Sequence, residues 1–174
     1  MKKQFLVLCS ALLVLSACTK RHSFDRLHFY QDFESMKGWT QEPLLTDLIP
    51  AHSGIYSTYT DKNAPYSQTL QLSTAELGTT KVKKFKGTVW CNIASMDCAG
   101  GLCMQIANPA GENLLWISTN LKDVVKTVGT WTKVSVYADI TPEMLDPKNT
   151  IKFFLWNTAS EKIYLDDFEL AFTQ

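Results

Sequence analysis

Four residues have the types and spacing to suggest chemistry: Trp90, Asn92, Gln105 and Trp116. An indole offers a flat apolar face, and a side-chain amide offers both donors and acceptors. Two indoles flanked by two amides therefore suit a ligand with an apolar ring face rimmed by hydroxyls, which is the shape of a sugar. Tyr137 and Trp156, with Lys152 on the same face of its run, extend this candidate carbohydrate-binding surface.

The stretch that must position these groups runs from Phe85 to Ser118, FKGTVWCNIASMDCAGGLCMQIANPAGENLLWIS. Three strand-like runs are separated by two turn signals, CAGG and NPAGEN, so the spacing predicts an antiparallel meander. With Cys98 opposite Cys103 and Gln105 opposite Trp116, the period of two places Val89, Cys91, Ile93, Met104, Ile106, Leu115 and Ile117 on the core side. Trp90, Asn92, Gln105 and Trp116 then share the other side. The same register predicts a disulfide between Cys98 and Cys103, and it leaves Cys91 as a small apolar core residue.

The rest of the chain after Ser23 is mostly strand-like. Leu27–Phe33, Tyr56–Tyr59, Ser67–Leu72, Thr132–Ala138, Thr150–Trp156 and Lys162–Leu170 bring the expected count to about eight to ten strands. In Thr132–Ala138, Val134 and Val136 alternate with Lys133, Ser135 and Tyr137. Helix is confined to fragments. Thr141-Pro142-Glu143 carries a cap with proline at the first position, and Leu121–Val128 reads either way. The expected fold is all-β, a single antiparallel β-sandwich of jelly-roll type, over residues 26–174.

The chain has 174 residues, 45% hydrophobic and 20% charged, enough for one buried core. It holds 17 basic and 17 acidic residues, a balance that does not recruit nucleic acid. The N-terminus reads as a processing signal. Lys2 and Lys3 precede an apolar run, Phe5–Leu15, too short to cross a bilayer, and Leu15-Ser16-Ala17-Cys18 follows. This resembles the signal and lipobox of a bacterial lipoprotein. The resemblance implies a signal peptide over residues 1–17, cleavage before Cys18, lipid on its thiol, and a polar tether over residues 18–25. Cleavage removes Lys2 and Lys3 and no acid, leaving a net charge of −2. The location implied is the bacterial cell envelope, anchored to a membrane, with the outer membrane expected and its face left open. Such a compartment permits disulfides. Cys91, Cys98 and Cys103 lack the fourth ligand and C-x-x-C spacing of a zinc site.

Four landmarks occur in order along the mature chain: Asp32-Phe33-Glu34 followed by Gly38-Trp39; Ala51-His52-Ser53-Gly54-Ile55-Tyr56-Ser57; Gly129-Thr130-Trp131-Thr132-Lys133-Val134-Ser135-Val136; and Ile163-Tyr164-Leu165-Asp166-Asp167-Phe168-Glu169-Leu170. Together they resemble the galactose-binding-like jelly rolls of carbohydrate-binding module families 4, 9 and 22. The resemblance implies non-catalytic glycan binding. It also implies a structural Ca2+ held by Glu34, Asp166 and backbone carbonyls around Ser53–Ile55, with Asp167 as the alternative carboxylate. Hard oxygen ligands suit that ion. In this family Trp39 and Trp131 match structural positions, which leaves Trp90, Trp116 and Trp156 as the candidate ligand contacts.

Enzyme readings find less support. The jelly roll also resembles laminarinase-type glycosidases, but Leu-Asp-Asp-Phe-Glu-Leu does not match their E-x-D-x-x-E strand, and a glycosidase needs two carboxylates across the scissile bond. There is no G-x-S-x-G, H-E-x-x-H or glycine-rich phosphate loop, and His22, His28 and His52 are scattered. The expectation is a non-enzymatic lipoprotein with a glycan ligand and a membrane anchor at Cys18. The alternative is a structural or assembly lipoprotein that uses the same sandwich to contact another envelope protein.

Overall fold

A computed structural model describes residues 26–36 and 45–174. The leader, Cys18, the tether and Trp39 lie outside the described residues. Within them are ten strands: β1 (Arg26–Gln31), β2 (Leu45–Thr46), β3 (Ser57–Thr60), β4 (Leu70–Ser73), β5 (Lys84–Ile93), β6 (Gly100–Ala107), β7 (Asn113–Asn120), β8 (Thr132–Asp139), β9 (Thr150–Asn157) and β10 (Ile163–Thr173). They form two antiparallel sheets. One runs β2-β3-β10-β5-β8 with β1 also on β10, and the other runs β4-β9-β6-β7. The expected jelly-roll β-sandwich is thus the fold. The ambiguous stretch after β7 forms a single helical turn, α1 (Leu121–Val124), capped by Asn120, whose side chain accepts from the Lys122 amide at 3.0 Å.

The core between the sheets is held by phenylalanines in sequential contact. Phe33 meets Phe168 at 5.7 Å between ring centroids, Phe168 meets Phe153 at 5.6 Å, Phe153 meets Phe85 at 5.9 Å, and Phe85 meets Phe172 at 5.3 Å. Edge-on or tilted contacts of this kind are each worth about 0.5–1.5 kcal/mol beyond the area they bury. Phe153 alone of these comes from the β4-β9-β6-β7 sheet, so it is the wedge that joins the two layers. Gly87 makes room for it, since a Cβ there would run into the Phe153 and Phe85 rings.

Strand parity came out as expected. Val89, Cys91, Ile93, Met104 and Ile106 are buried, and Leu115 and Ile117 pack half-buried against the core. Val134 and Val136 point inward from β8, with Lys133 and Tyr137 exposed. The NPAGEN turn is local chemistry. Asn108 Oδ1 accepts from the amides of Ala110 and Glu112, both at 3.0 Å, and the Asn108 amide donates to the Glu112 carbonyl at 3.0 Å. That closes β6 onto β7 with Gln105 opposite Trp116.

The meander itself is corrected. β5 and β6 do not pair; they belong to different sheets, and residues 94–99 carry the chain from one to the other. Gly100 is no turn residue but the first residue of β6, and its Cβ would fall on the backbone of Trp156 in β9. The glycine serves close strand approach rather than reversal.

The disulfide expectation is corrected with it. Cys91, Cys98 and Cys103 are buried free thiols. The crossover carries Cys98 towards the start of β10, where its Sγ donates to the Lys162 carbonyl at 3.3 Å. Cys103 is on β6 between Ser118 and Phe154, its Sγ donating to the Gly101 carbonyl at 3.3 Å. Burial pushes the Cys103 thiol up to about 11 and raises Cys91 and Cys98 as well, so none is poised to react. Alkylation of the unreduced, unfolded protein is expected to modify Cys98 and Cys103 both, with native protein reacting far more slowly. A peptide pair linked Cys98 to Cys103 in the digest would contradict this arrangement.

Candidate functional site

The outer face of the β4-β9-β6-β7 sheet carries the candidate site. Its central row crosses all four strands: Gln71, Lys152, Gln105 and Trp116 are successive partners in the ladder. Because side chains alternate along a strand, Phe154 and Trp156 share the face of Lys152 on β9. Tyr66, just ahead of β4, bridges to Trp156. The Tyr66 and Trp156 rings stack 11° from parallel at 6.3 Å, and Phe154 meets Tyr66 at 5.8 Å and Trp116 at 5.9 Å, edge-on to each.

Phe154 is a buried floor, 5% exposed, while Tyr66, Trp116 and Trp156 stand up from it at 52%, 45% and 39%. Between Tyr66 and Trp116 lies a cleft of about 380 Å³, lined by Tyr66, Thr69, Gln71, Gln105, Trp116, Lys152 and Phe154, with Trp156 at its margin through the stack on Tyr66. Three exposed rings on one face are more than a solvated sheet needs. Gln105 is aimed by a hydrogen bond from its Nε2 to Asn113 Oδ1 at 2.6 Å. The cleft thus offers flat apolar platforms, two primary amides and one ammonium group, and its lining has no carboxylate.

Of the six sequence-predicted sugar contacts, Gln105, Trp116 and Trp156 come together here. Trp90, Asn92 and Tyr137 do not; they belong to β5 and β8, in the opposite sheet. The physical reason is the crossover at 94–99, which turns the outward side of β5 and the outward side of β6 to opposite surfaces of the sandwich. Trp90 is half-covered by the His52 ring, stacked at 3.8 Å and 16°, with Lys133 Nζ 5.9 Å from its centre. Asn92 is buried, and Tyr137 is exposed beside Lys86, whose Nζ is 5.5 Å from the ring. Trp131 is structural, its Nε1 donating to the Pro50 carbonyl at 3.0 Å. Phe154, Tyr66 and Gln71 were missed. The parity that linked Lys152 to Trp156 also implicates Phe154, whereas nothing local links Tyr66 to Trp156.

Glu34 and Asp166, the implied calcium ligands, do converge on the turn at 52–56. The groups that meet them are amides, however, not carbonyls. Glu34 Oε1 accepts from the Ile55 and Tyr56 amides at 2.8 and 2.6 Å, and Asp166 Oδ2 accepts from the His52 and Ser53 amides at 2.9 and 3.1 Å. An N–H group cannot ligate a cation, and among the described residues no three His, Cys, Asp or Glu side chains gather to hold one. The turn answers both carboxylates with hydrogen bonds instead.

Asp167 completes this cluster. It sits at φ 50° in a β10 bulge, where pairing shifts between Asp166 and Glu169 and the partner strand changes from β3 to β1. Its carboxylate takes hydrogen bonds from Tyr30 Oη at 2.5 Å and Ser53 Oγ at 2.8 Å and contacts His52 Nδ1 at 2.6 Å. Burial would raise Asp167, but the contacts of Tyr30, His52 and Ser53 outweigh it and hold the group below its ordinary value. The same bond to Asp167, ahead of burial, pushes Tyr30 up to about 12. Asp166 goes the other way. Burial raises it to about 6 despite its amide partners.

No family model matches this chain, and no curated protein matches it. Solved structures do. The chain is similar to the C-terminal family 22 carbohydrate-binding module of Clostridium thermocellum Xyn10B, with a TM-score of 0.53 and 14% identity over 83% of this chain and 92% of that one. A xylan-binding domain of family 22 gives a TM-score of 0.51 and 14% identity, over 83% and 94% of the two chains. The VP2 subviral particle of infectious bursal disease virus also gives 0.51, at 8% identity over 86% of this chain and 33% of that one. Identities this low establish a shared sandwich. Its appearance in a viral particle illustrates that such a sandwich does not by itself name a role.

The sign of the Asp166 shift makes the cluster testable. With a folded value of about 6 against an ordinary 3.8, the ionised buried carboxylate costs stability above about pH 6, a cost that fades as pH falls towards its unfolded value. Asp167, shifted down, loses its contribution only below the usual carboxylate range. The melting temperature of the wild type, measured relative to Asp166→Asn, is expected to rise as pH is lowered from about 7.5 to about 5. A difference that stays flat or falls across that interval would show that Asp166 is not held as described.

Proposed function

We propose that the chain is a non-catalytic glycan-binding module, held to a membrane of the bacterial envelope by lipid on Cys18. One observation carries the binding reading: the outer face of β4-β9-β6-β7 sets exposed Tyr66, Trp116 and Trp156 around a row of amides over an otherwise ordinary sandwich. A pyranose ring has C–H groups on its faces and hydroxyls at its edge. Indole and phenol rings pack the former, and Gln71 and Gln105 can hydrogen-bond the latter. The cleft is the size of small-ligand sites in general, about 300–1,000 Å³. Its open, gently walled shape suits a segment of a longer chain lying across the sheet.

Binding without cleavage follows from the same lining. Hydrolysis of a glycosidic bond needs two carboxyl groups flanking it, and the cleft has none. The buried acids at Asp166 and Asp167 belong to the opposite sheet and are engaged by the turn at 52–56. The anchor rests on the leader sequence and its resemblance to a lipobox, with an eight-residue tether at 18–25 ahead of β1.

Two experiments test the two halves. A glycan panel, read with the full chain in non-ionic detergent, is expected to yield a binding class that Trp116→Ala and Trp156→Ala each weaken by roughly tenfold or more, equivalent to about 1.4 kcal/mol. Trp90→Ala, on the other sheet, should leave affinity unchanged. Loss of binding in Trp90→Ala alone would move the site to the wrong face for this reading. For the anchor, Cys18→Ala is expected to abolish fatty-acid labelling and release the protein from the membrane fraction; labelling that persists would rule out lipid at Cys18.

A further inference from the structure

Lys152 is the unexplained residue of the cleft. It projects from β9, an interior strand, half-buried, between Gln71 on β4 and Gln105 on β6. A lysine there is not a solvated edge charge. Among the described residues, the ion pairs are His28–Glu169, His52–Asp167 and Lys133–Glu169, and Lys152 belongs to none. No Asp or Glu lines the cleft. Two of the acids on the turns that flank this sheet are engaged locally: Glu76 Oε2 accepts from the Ser73 amide at 2.6 Å, and Glu112 Oε2 from Asn108 Nδ2 at 2.7 Å.

We propose that the cleft selects an anionic glycan, with the Lys152 ammonium meeting a uronate carboxylate or a sulfate ester on a sugar stacked against Trp116. This rests on the glycan-binding reading and narrows it. A cation with no counter-ion in its cleft gains from a ligand that supplies one. The two glutamines beside Lys152 can donate amide N–H groups to the same oxygens, and bonds to a charged group are stronger than neutral ones. Trp116 is next to Gln105 in the same row, placing an apolar platform two strands from the charge with Gln105 between them. A neutral sugar would use the rings and the amides but leave the ammonium facing uncharged hydroxyls. A lysine, a compact point charge with three donors, accepts either anion, so the choice between carboxylate and sulfate is left to the ligand.

The test is calorimetric titration of the full chain in detergent with three length-matched oligosaccharides: a neutral galactan, an oligogalacturonate and a sulfated galactan. One anionic arm at least is expected to bind tenfold or more tightly than the neutral arm, and which one identifies the anion. Lys152→Gln should bring the ratio of anionic to neutral affinity down to about one, with its melting temperature unchanged. Lys152→Arg should retain the preference, and raising the salt concentration should shrink it in the wild type. Equal or tighter binding of the neutral arm, or a preference that survives in Lys152→Gln, overturns the proposal and leaves the glycan-binding reading standing. Binding in none of the three arms, together with none across the wider panel, overturns both.

Discussion

A β-strand can give only every second side chain to a core, and in β9 that constraint decides the site. Ile151, Phe153 and Leu155 point inward, and Phe153 is closed in by Phe85, Phe168 and the space that Gly87 leaves. Emptying a buried phenylalanine position costs about 3–5 kcal/mol, a large part of the roughly 5–15 kcal/mol by which whole domains are stable. A slip of one residue would carry Phe153 outward and Lys152 into the core, so the register is strongly held. Lys152, Phe154 and Trp156 share the outer face because their neighbours cannot leave the interior. The outer face of this sheet inherits its geometry from packing on the other side of the same strand.

The opposite sheet meets a second constraint at the β10 bulge. Asp166 and Asp167 sit where β10 exchanges β3 for β1 along one edge, and two adjacent buried acids there would be costly without partners. The turn at 52–56 supplies them through amides, Ser53 Oγ and the His52 ring, while Tyr30 reaches in from β1. The cluster therefore ties β1 and the 52–56 turn to the C-terminal strand. Trp90 is drawn into the same assembly through its stack on His52, which is why it works as a structural ring despite its polar surroundings.

The two outer faces thus have different physical characters. One is dominated by a hydrogen-bonded acid cluster and stacked rings already engaged with protein partners. The other presents rings with one face open to solvent, over a row of amides and an ammonium without a counter-ion. Sandwiches of this kind support many roles, so function has to be argued from the second face rather than from the fold.

Much of this was legible from the sequence because alternation and tight turns are local. The inward set on β5, β6 and β8 and the pairing of Gln105 with Trp116 follow from the period of two and from the Asn108 turn alone. The convergence of Glu34 and Asp166 is what the resemblance to the jelly-roll modules implied. Which sheet each strand joins was not legible. The path of residues 94–99 between layers depends on the whole core, and it alone separated Trp90 and Asn92 from Gln105 and kept Cys98 from Cys103. Likewise Tyr66 meets Trp156 from 90 positions away along the chain, and the 52–56 turn presents amides to its acids. The chain by itself determined which side of each strand is apolar, since that is a property of neighbouring residues. Only the tertiary structure decided which polar sides share a surface, since that depends on contacts between residues far apart in sequence.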